Sequence, residues 1–333
     1  MLNPELYRCL HDDLSKYLSR EELEMMISHN RIMPFNEGQV ILDQGKFSQG
    51  IYLIINGIVN VTAKLLGEGT TNLETLVHGN FMGEASFIEK IPCPTSMIAS
   101  NDVECLFLSK TYIEFLTAYY PQTKFHLYKA ISAQVCSRIK QVNDKIVKVI
   151  SASEMTPKPL FGEIIQSLTK PVEIKREEAT HIIDHLQQLP LFQAFQKDEI
   201  SELLKHTILM KAPKNCTLIK KGDPNVSSYI VIQGAVQSSI VHENKTAKLS
   251  VIGPGTLFTS ITCEDTDLSY TITFTTCEES ILVKFSDTEL SSIQQNLPTV
   301  WYKLYDLICR SLVALEKSVD KLDIRLNIET YNR

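Results

Sequence analysis

The sequence predicts an α+β protein built from two tandem copies of one unit, a small antiparallel β structure framed by helices, and three observations carry this. First, "GQVILDQGKFSQGIYLIINGIVNV" returns as "NCTLIKKGDPNVSSYIVIQGAVQS", with Gly45, Tyr52, Gly57 and Val59 falling on Gly222, Tyr229, Gly234 and Val236. Second, the same offset of 177 holds well outside that stretch, from Leu18 over Phe195 to Val142 over Val319. Third, each copy strings short β-branched runs between Gly-Lys, Asn-Gly, Gly-Glu-Gly or Pro-Gly turn signals, the pattern of a small barrel or sandwich. One offset maintained over such a length marks a tandem duplication.

Taken in order, each copy begins with a short amphipathic helix, "LSREELEMMI" and "FQKDEISELL", whose apolar residues lie three and four apart. The β runs follow, and a longer helix closes each copy. There "PQTKFHLYKAISAQVCSRIKQV" lies over "PTVWYKLYDLICRSLVALEKSV", matching Leu127 with Leu304, Tyr128 with Tyr305 and Ile131 with Ile308. The segment from Ser151 to Phe192 carries four prolines and reads as a connector of short helices. The expected organisation is a first domain with its closing helix over 1–150, a helical connector over 151–181 and a second domain over 182–333.

Composition bounds the function. Hydrophobic residues make up 44% and charged residues 22% of 333, as in globular proteins, and a net charge of −6 supplies no overall field for nucleic acid or acidic lipid. The N-terminal "MLNPELYRCLHDDLSKYL" is too polar for a signal peptide, and the apolar runs are of strand length, so a cytoplasmic chain with no membrane span is expected. Eight cysteines without a CxxC pair read as reduced, mostly buried thiols. His181 and His185 in "HIIDH" have a two-ligand spacing but no Glu and no third ligand nearby, and read as histidines on a helix surface, not a metal site. No P-loop, G-x-S-x-G or H-E-x-x-H is present, so no catalytic residue is assigned and a non-enzymatic protein is expected.

Strand turn "G-x-x-I/L-x-x-x-G", strand "Y-x-I-x-x-G-x-V", a Gly-Glu cassette and a closing helix together resemble the cyclic nucleotide-binding domain family. That family includes the sensor domains of catabolite-activator-type regulators and the regulatory subunits of protein kinase A. In copy one the matching residues are Gly38, Gly45, Tyr52, Gly57, Val59, Gly83, Glu84 and the "LFLS" strand at 106–109. The resemblance implies two tandem jelly-roll β-barrels, each with flanking helices and a long closing helix. It also implies a strand–turn–helix cassette facing a cyclic phosphate, where Glu84 would take the ribose 2′-hydroxyl. Phe81, Gly83, Glu84, Ala85, Thr95 and Ser96 are the ligand-binding residues it assigns, and cyclic AMP, cyclic GMP or a cyclic dinucleotide is the ligand it suggests.

The family's cassette arginine, which grips the phosphate through two parallel bonds, has no match. Counting puts Cys93 or Pro94 at its position, with Lys90 three residues early and on the solvent side of the cassette helix. Loss of such a contact weakens phosphate binding about ten- to a hundredfold. Cys93 has no cationic or His neighbour in sequence and reads as an unreactive wall cysteine. Copy two, "GPGTLFTSITCEDTDLSYTITF", has Thr259 and Ser260 near the Gly-Glu positions, no basic residue, and acids at 264, 265 and 267. No cyclic mononucleotide is expected there.

Ile308, Leu312, Leu315, Val319, Leu322 and Leu326 form an a/d seam on the last helix, and Ile131, Val135, Ile139, Val142, Ile146 and Val149 nearly repeat it. The cleaner seam points to a homodimer through the last helix. The duplication also allows an internal pseudo-dimer of the two closing helices, or each stripe packing on its own barrel. Only "NIETYNR" follows Leu326, so direct DNA binding is not expected. Two readings of function follow: a nucleotide sensor in copy one signalling through helices to a protein partner, or a degenerate pair of domains serving as an interaction scaffold.

Overall fold

Residues 4–65, 68–152, 170–175, 186, 188–220, 227–243, 245–259 and 272–331 are described in a computed structural model of the chain. Helices α1 (Pro4–Leu14) and α2 (Arg20–Ser28) open it. Ser19 starts α2 with a capping box: its hydroxyl accepts from the Glu22 N–H at 3.3 Å while its own N–H donates to the Glu22 carboxylate at 2.8 Å.

Eight strands follow: β1 (Arg31–Phe35), β2 (Val40–Leu42), β3 (Gly50–Asn56), β4 (Val59–Leu65), β5 (Glu68–Leu76), β6 (Phe81–Met82), β7 (Ser96–Ala99) and β8 (Val103–Ser109). They pair antiparallel into two four-stranded sheets, ordered β1-β8-β3-β6 and β2-β7-β4-β5. Alternation along β3 sends Tyr52 and Ile54 into the core between the sheets, with Val59, Val61, Met82, Val103, Cys105 and Phe107. Ile51 and Leu53 are buried on the opposite face. Gly57 turns β3 into β4 at φ +96°, and a Cβ there would sit 2.5 Å from the Asp102 carbonyl oxygen. Gly234 repeats this in copy two, 2.6 Å from the Glu279 oxygen, so both positions require glycine. Helix α3 (Glu84–Glu89) lies between β6 and β7, and α4 (Lys110–Tyr119) and α5 (Pro121–Ala152) complete the copy.

The second barrel uses β10 (Ile208–Ala212), β11 (Thr217–Ile219), β12 (Ser227–Gln233), β13 (Val236–His242), β14 (Lys245–Ile252), β15 (Leu257–Thr259), β16 (Ile272–Thr276) and β17 (Ser280–Ser286). Helix α6 (Lys197–Lys205) precedes it, and α7 (Asp287–Asn296) and α8 (Pro298–Tyr331) follow. One sheet runs β11-β16-β13-β14 and the other β15-β12-β17-β10-β9. The extra edge strand β9 (Val172–Glu173) comes from the connector, where only helices are expected. Pro171 disfavours helix in the residue before it, and β-branched Val172 suits an edge strand. Residues 153–169 and 176–185, with His181 and His185, lie outside the described residues.

The chain divides into two compact units, Met1–Gln134 and Val135–Arg333, with the division inside α5. Within the second unit the later half of α5 packs against α8. Arg138 Nε meets Glu316 Oε1 at 2.6 Å and Lys145 Nζ meets Asp323 Oδ2 at 2.6 Å. Both partners advance by seven residues, so the helices run parallel, one heptad between the pairs. Val135, Ile139, Ile146 and Ile150 are buried from α5, and Leu312, Val319 and Leu322 from α8, while Ile308, Leu315 and Leu326 are half-buried. This is the internal pairing that the duplication allows. It covers the centre of the seam without a second copy, so the homodimer expected from that seam is not needed to bury it. The reason lies beside the seam: Glu316 and Asp323 stand where α5 has Ile139 and Ile146. An in-register α8 homodimer would bury like charges together, whereas α5 offers arginine and lysine.

Candidate functional site

The cassette of copy one is built by β6, α3 and the turn leading to β7. Gly83 links β6 to α3 at φ +82°, and a Cβ there would sit 2.9 Å from the Leu42 side chain, so the tight entry to Glu84 requires glycine. Glu84 is 3% exposed, and Phe81, Thr95 and Ser96 are buried, while Ala85 is half-buried. Phe81, Gly83, Glu84 and Ala85 thus lie at the β6–α3 junction, and Thr95 and Ser96 lie beyond α3, at the entry to β7. Ser96 is partly committed: its hydroxyl accepts from the Gln44 N–H at 3.0 Å, and its carbonyl takes the Thr62 hydroxyl at 3.4 Å.

Of the two candidates for the arginine position, Cys93 is the one packed into the barrel core with Tyr52, Met82 and Phe107. Its backbone is held on both sides, N–H to the Lys46 carbonyl at 2.7 Å and C=O from the Gly45 N–H at 2.9 Å. Burial pushes the Cys93 thiol above its ordinary range, and the Glu84 charge pushes it further, against a hydrogen bond with Ser86 that pulls it down. A core-facing thiol, within electrostatic reach of Glu84 and Ser86, thus occupies one of the two positions counted for the family's cation. Lys90 is exposed and adopts φ +54° as the cap of α3, its N–H on the Ser86 carbonyl. It faces solvent, as its spacing predicts.

Two groups escaped the sequence reading. Ser48 and Ser86 lock the loop before β3 to α3: the Ser48 N–H donates to the Ser86 hydroxyl at 2.9 Å, which donates to the Ile91 carbonyl at 2.6 Å. Gln134 on α5 clamps the cassette strand, accepting from the Phe81 N–H at 2.9 Å and donating to the Gly79 carbonyl at 2.7 Å. A lone polar residue on an apolar helix face is the only signal the sequence offers for Gln134. Its counterpart Ser311 returns its hydroxyl to its own helix, on the Ile308 carbonyl at 2.8 Å.

Copy two differs at the same register. Tyr52 stands opposite Met82, and Tyr229 opposite Phe258, which makes Thr259 the structural match of Gly83. Tyr229, Phe258 and Phe274 stack in series, with ring centroids at 5.2 and 5.0 Å, and all three are buried. This aromatic column fills the second barrel interior beside its cassette strand. The acids at 264, 265 and 267 lie outside the described residues.

The model of the family described as "Cyclic nucleotide-binding domain" matches residues 32–120 and 209–296, together more than half of the chain. The chain belongs to the cyclic nucleotide-binding domain family. A cyclic AMP receptor protein from Thermus thermophilus is 30% identical over 91 residues, covering 27% of this chain and 42% of that relative. The chain therefore spans under half the length of that curated relative. A cyclic nucleotide-binding domain from Methylobacillus flagellatus is 21% identical, covering 43% of this chain and 83% of the other at a TM-score of 0.41. The regulatory domain of Toxoplasma gondii PKA, crystallised with cAMP, is 11% identical, covering 90% and 94% at a TM-score of 0.31. The tandem domains imply a regulatory role, and the family match contains no catalytic domain. Among the described residues, no group of three or more His, Cys, Asp or Glu is placed to hold a metal ion, and no helix is long and apolar enough to cross a membrane.

Proposed function

We propose that this cyclic nucleotide-binding domain protein is a non-enzymatic regulator in which copy one senses a nucleotide-type ligand and copy two serves as a structural domain. The signal passes through the closing helices to a protein partner. The observation that carries this reading is the Gln134 clamp on the cassette strand of copy one, which is replaced in copy two by a serine bonded to its own helix. A ligand seated on Glu84 and preferring one position of β6 would bias α5 by its unequal affinity for the two positions. The scaffold reading is favoured for copy two by the buried aromatic column, and for copy one by the thiol in place of a cation.

The test is a thermal-shift and calorimetric titration with cyclic AMP, cyclic GMP and cyclic di-GMP, run on the wild type, Glu84→Ala and Gln134→Leu. Stabilisation by one nucleotide that is lost in Glu84→Ala supports sensing. Retained binding in Gln134→Leu with unchanged hydrogen exchange along α5 on ligation supports the clamp as transmitter. No response at millimolar ligand would retire the sensor reading and leave the scaffold.

A further inference from the structure

A nucleotide in copy one brings a phosphate anion to a cassette that holds a thiol and a carboxylate. We propose that Arg31, from strand β1, supplies the missing positive charge across the mouth of the first barrel. This rests on the reading of copy one as a nucleotide site.

The placement follows from strand periodicity. Met33 and Phe35 pack against the barrel core, and Arg31, two residues before Met33, lies on the same inward face. The register then puts Arg31 opposite Phe107, Phe107 opposite Tyr52 and Tyr52 opposite Met82. One transverse row therefore leads from Arg31 to the residue before Gly83 and Glu84. Three strand spacings make that row about 14 Å, a span that a nucleotide and one arginine side chain cover between them.

The contacts along the row agree. The Arg31 guanidinium lies over the Phe107 ring at 5.6 Å from its centroid, and Phe107 packs on Tyr52 at 4.8 Å. The Phe107 ring edge comes within 2.8 Å of where a Gly50 Cβ would stand, and the Gly50 carbonyl within 3.3 Å of a Gly83 Cβ. Burial raises the Tyr52 hydroxyl, Cys105 and Cys93 raise it further, and the Arg31 charge lowers it. Arg31 and Cys93, one of the two positions counted for the family's arginine, are therefore both within electrostatic reach of one hydroxyl. Arg31 is exposed, its guanidinium resting on the Phe107 ring. A planar guanidinium resting on an aromatic face is already oriented for a bidentate anion contact. Copy two has Ile208 at this place, and its one basic residue in the row, Lys284, lies over Tyr229 at 6.0 Å beside the aromatic column.

The test compares cyclic AMP with adenosine, its uncharged core, by calorimetry on the full chain as wild type, Arg31→Gln and Arg31→Lys. Arg31 is exposed, so all three are expected to melt together, and thermal unfolding checks that. The expected result is that Arg31→Gln binds cyclic AMP about ten- to a hundredfold more weakly with adenosine unchanged, Arg31→Lys falls between, and the wild-type preference for cyclic AMP shrinks with salt. Equal effects of Arg31→Gln on both ligands, or none on either, would overturn the assignment of Arg31 while leaving the nucleotide site standing. Wild-type protein that binds neither ligand would overturn the site itself, and the assignment with it.

Discussion

The two copies share a plan and part at two places, the cassette and the barrel interior beside it. Copy one keeps Gly83 in the left-handed conformation, a buried Glu84 and a clamp from its closing helix. Copy two has Thr259 opposite Ser228 in the same register, an aromatic column in the barrel, and a closing helix that keeps its hydroxyl to itself. A duplicated fold persists on its strands and turns, while the group that would answer a ligand is free to go. Gly57 and Gly234 recur because a backbone oxygen forbids any side chain; nothing of that kind protects a cassette glutamate.

Emptying the aromatic column should cost the second barrel most. Phe258→Ala should lower stability by about 3–5 kcal/mol in urea unfolding, a loss of packed volume in a closed core. If it instead costs under 1 kcal/mol, the second barrel interior is not filled as described. Next is the helix pair: Arg138→Met removes the Arg138 ion pair from buried Glu316 and should cost about 3 kcal/mol, with Arg138→Met/Glu316→Leu recovering most of it. The paired helices should also keep the chain monomeric by light scattering, since a partner on the same chain outcompetes one in solution at ordinary concentrations. Gln134→Leu removes both of its bonds to the cassette strand, from the Phe81 N–H and to the Gly79 carbonyl, and should cost about 1–3 kcal/mol, with faster hydrogen exchange at Phe81. Ser311→Ala, its counterpart, should stay within about 0.5 kcal/mol. Equal costs would erase the asymmetry on which sensing by copy one alone depends. Gly83→Ala should cost about 1–2 kcal/mol for the left-handed backbone alone. The smallest effect is chemical. Burial raises the Cys93 thiol and pushes Cys105 up to about 12, so both remain protonated at pH 8 and should alkylate far more slowly than half-buried Cys277.

Much of this was legible in the residues. The offset from Tyr52 to Tyr229 located both barrels, and the Gly83-Glu84 pair located the cassette. The missing arginine could be counted to Cys93 or Pro94, and of these two Cys93 packs into the barrel core. The a/d stripes marked two helices in need of cover. Partner choice was not legible, because the acids that decide it, Glu316 and Asp323, flank the seam and look like solvent-facing charges until Arg138 and Lys145 come opposite. Nor was β9, whose pairing with β10 joins segments more than thirty residues apart.

Residue order alone fixed what repeats locally: strand alternation, turn glycines, caps such as Ser19 with Glu22, and the lack of an arginine at the matching position of either cassette. These depend on neighbours within a few residues, whose geometry the backbone fixes. Tertiary structure alone decided which distant groups meet: Gln134 on the Phe81 N–H, Phe258 between Tyr229 and Phe274, Arg138 on Glu316, and Arg31 in one row with Met82. The energy of each such contact depends on burial and on register across strands or helices, and neither exists until the chain has folded.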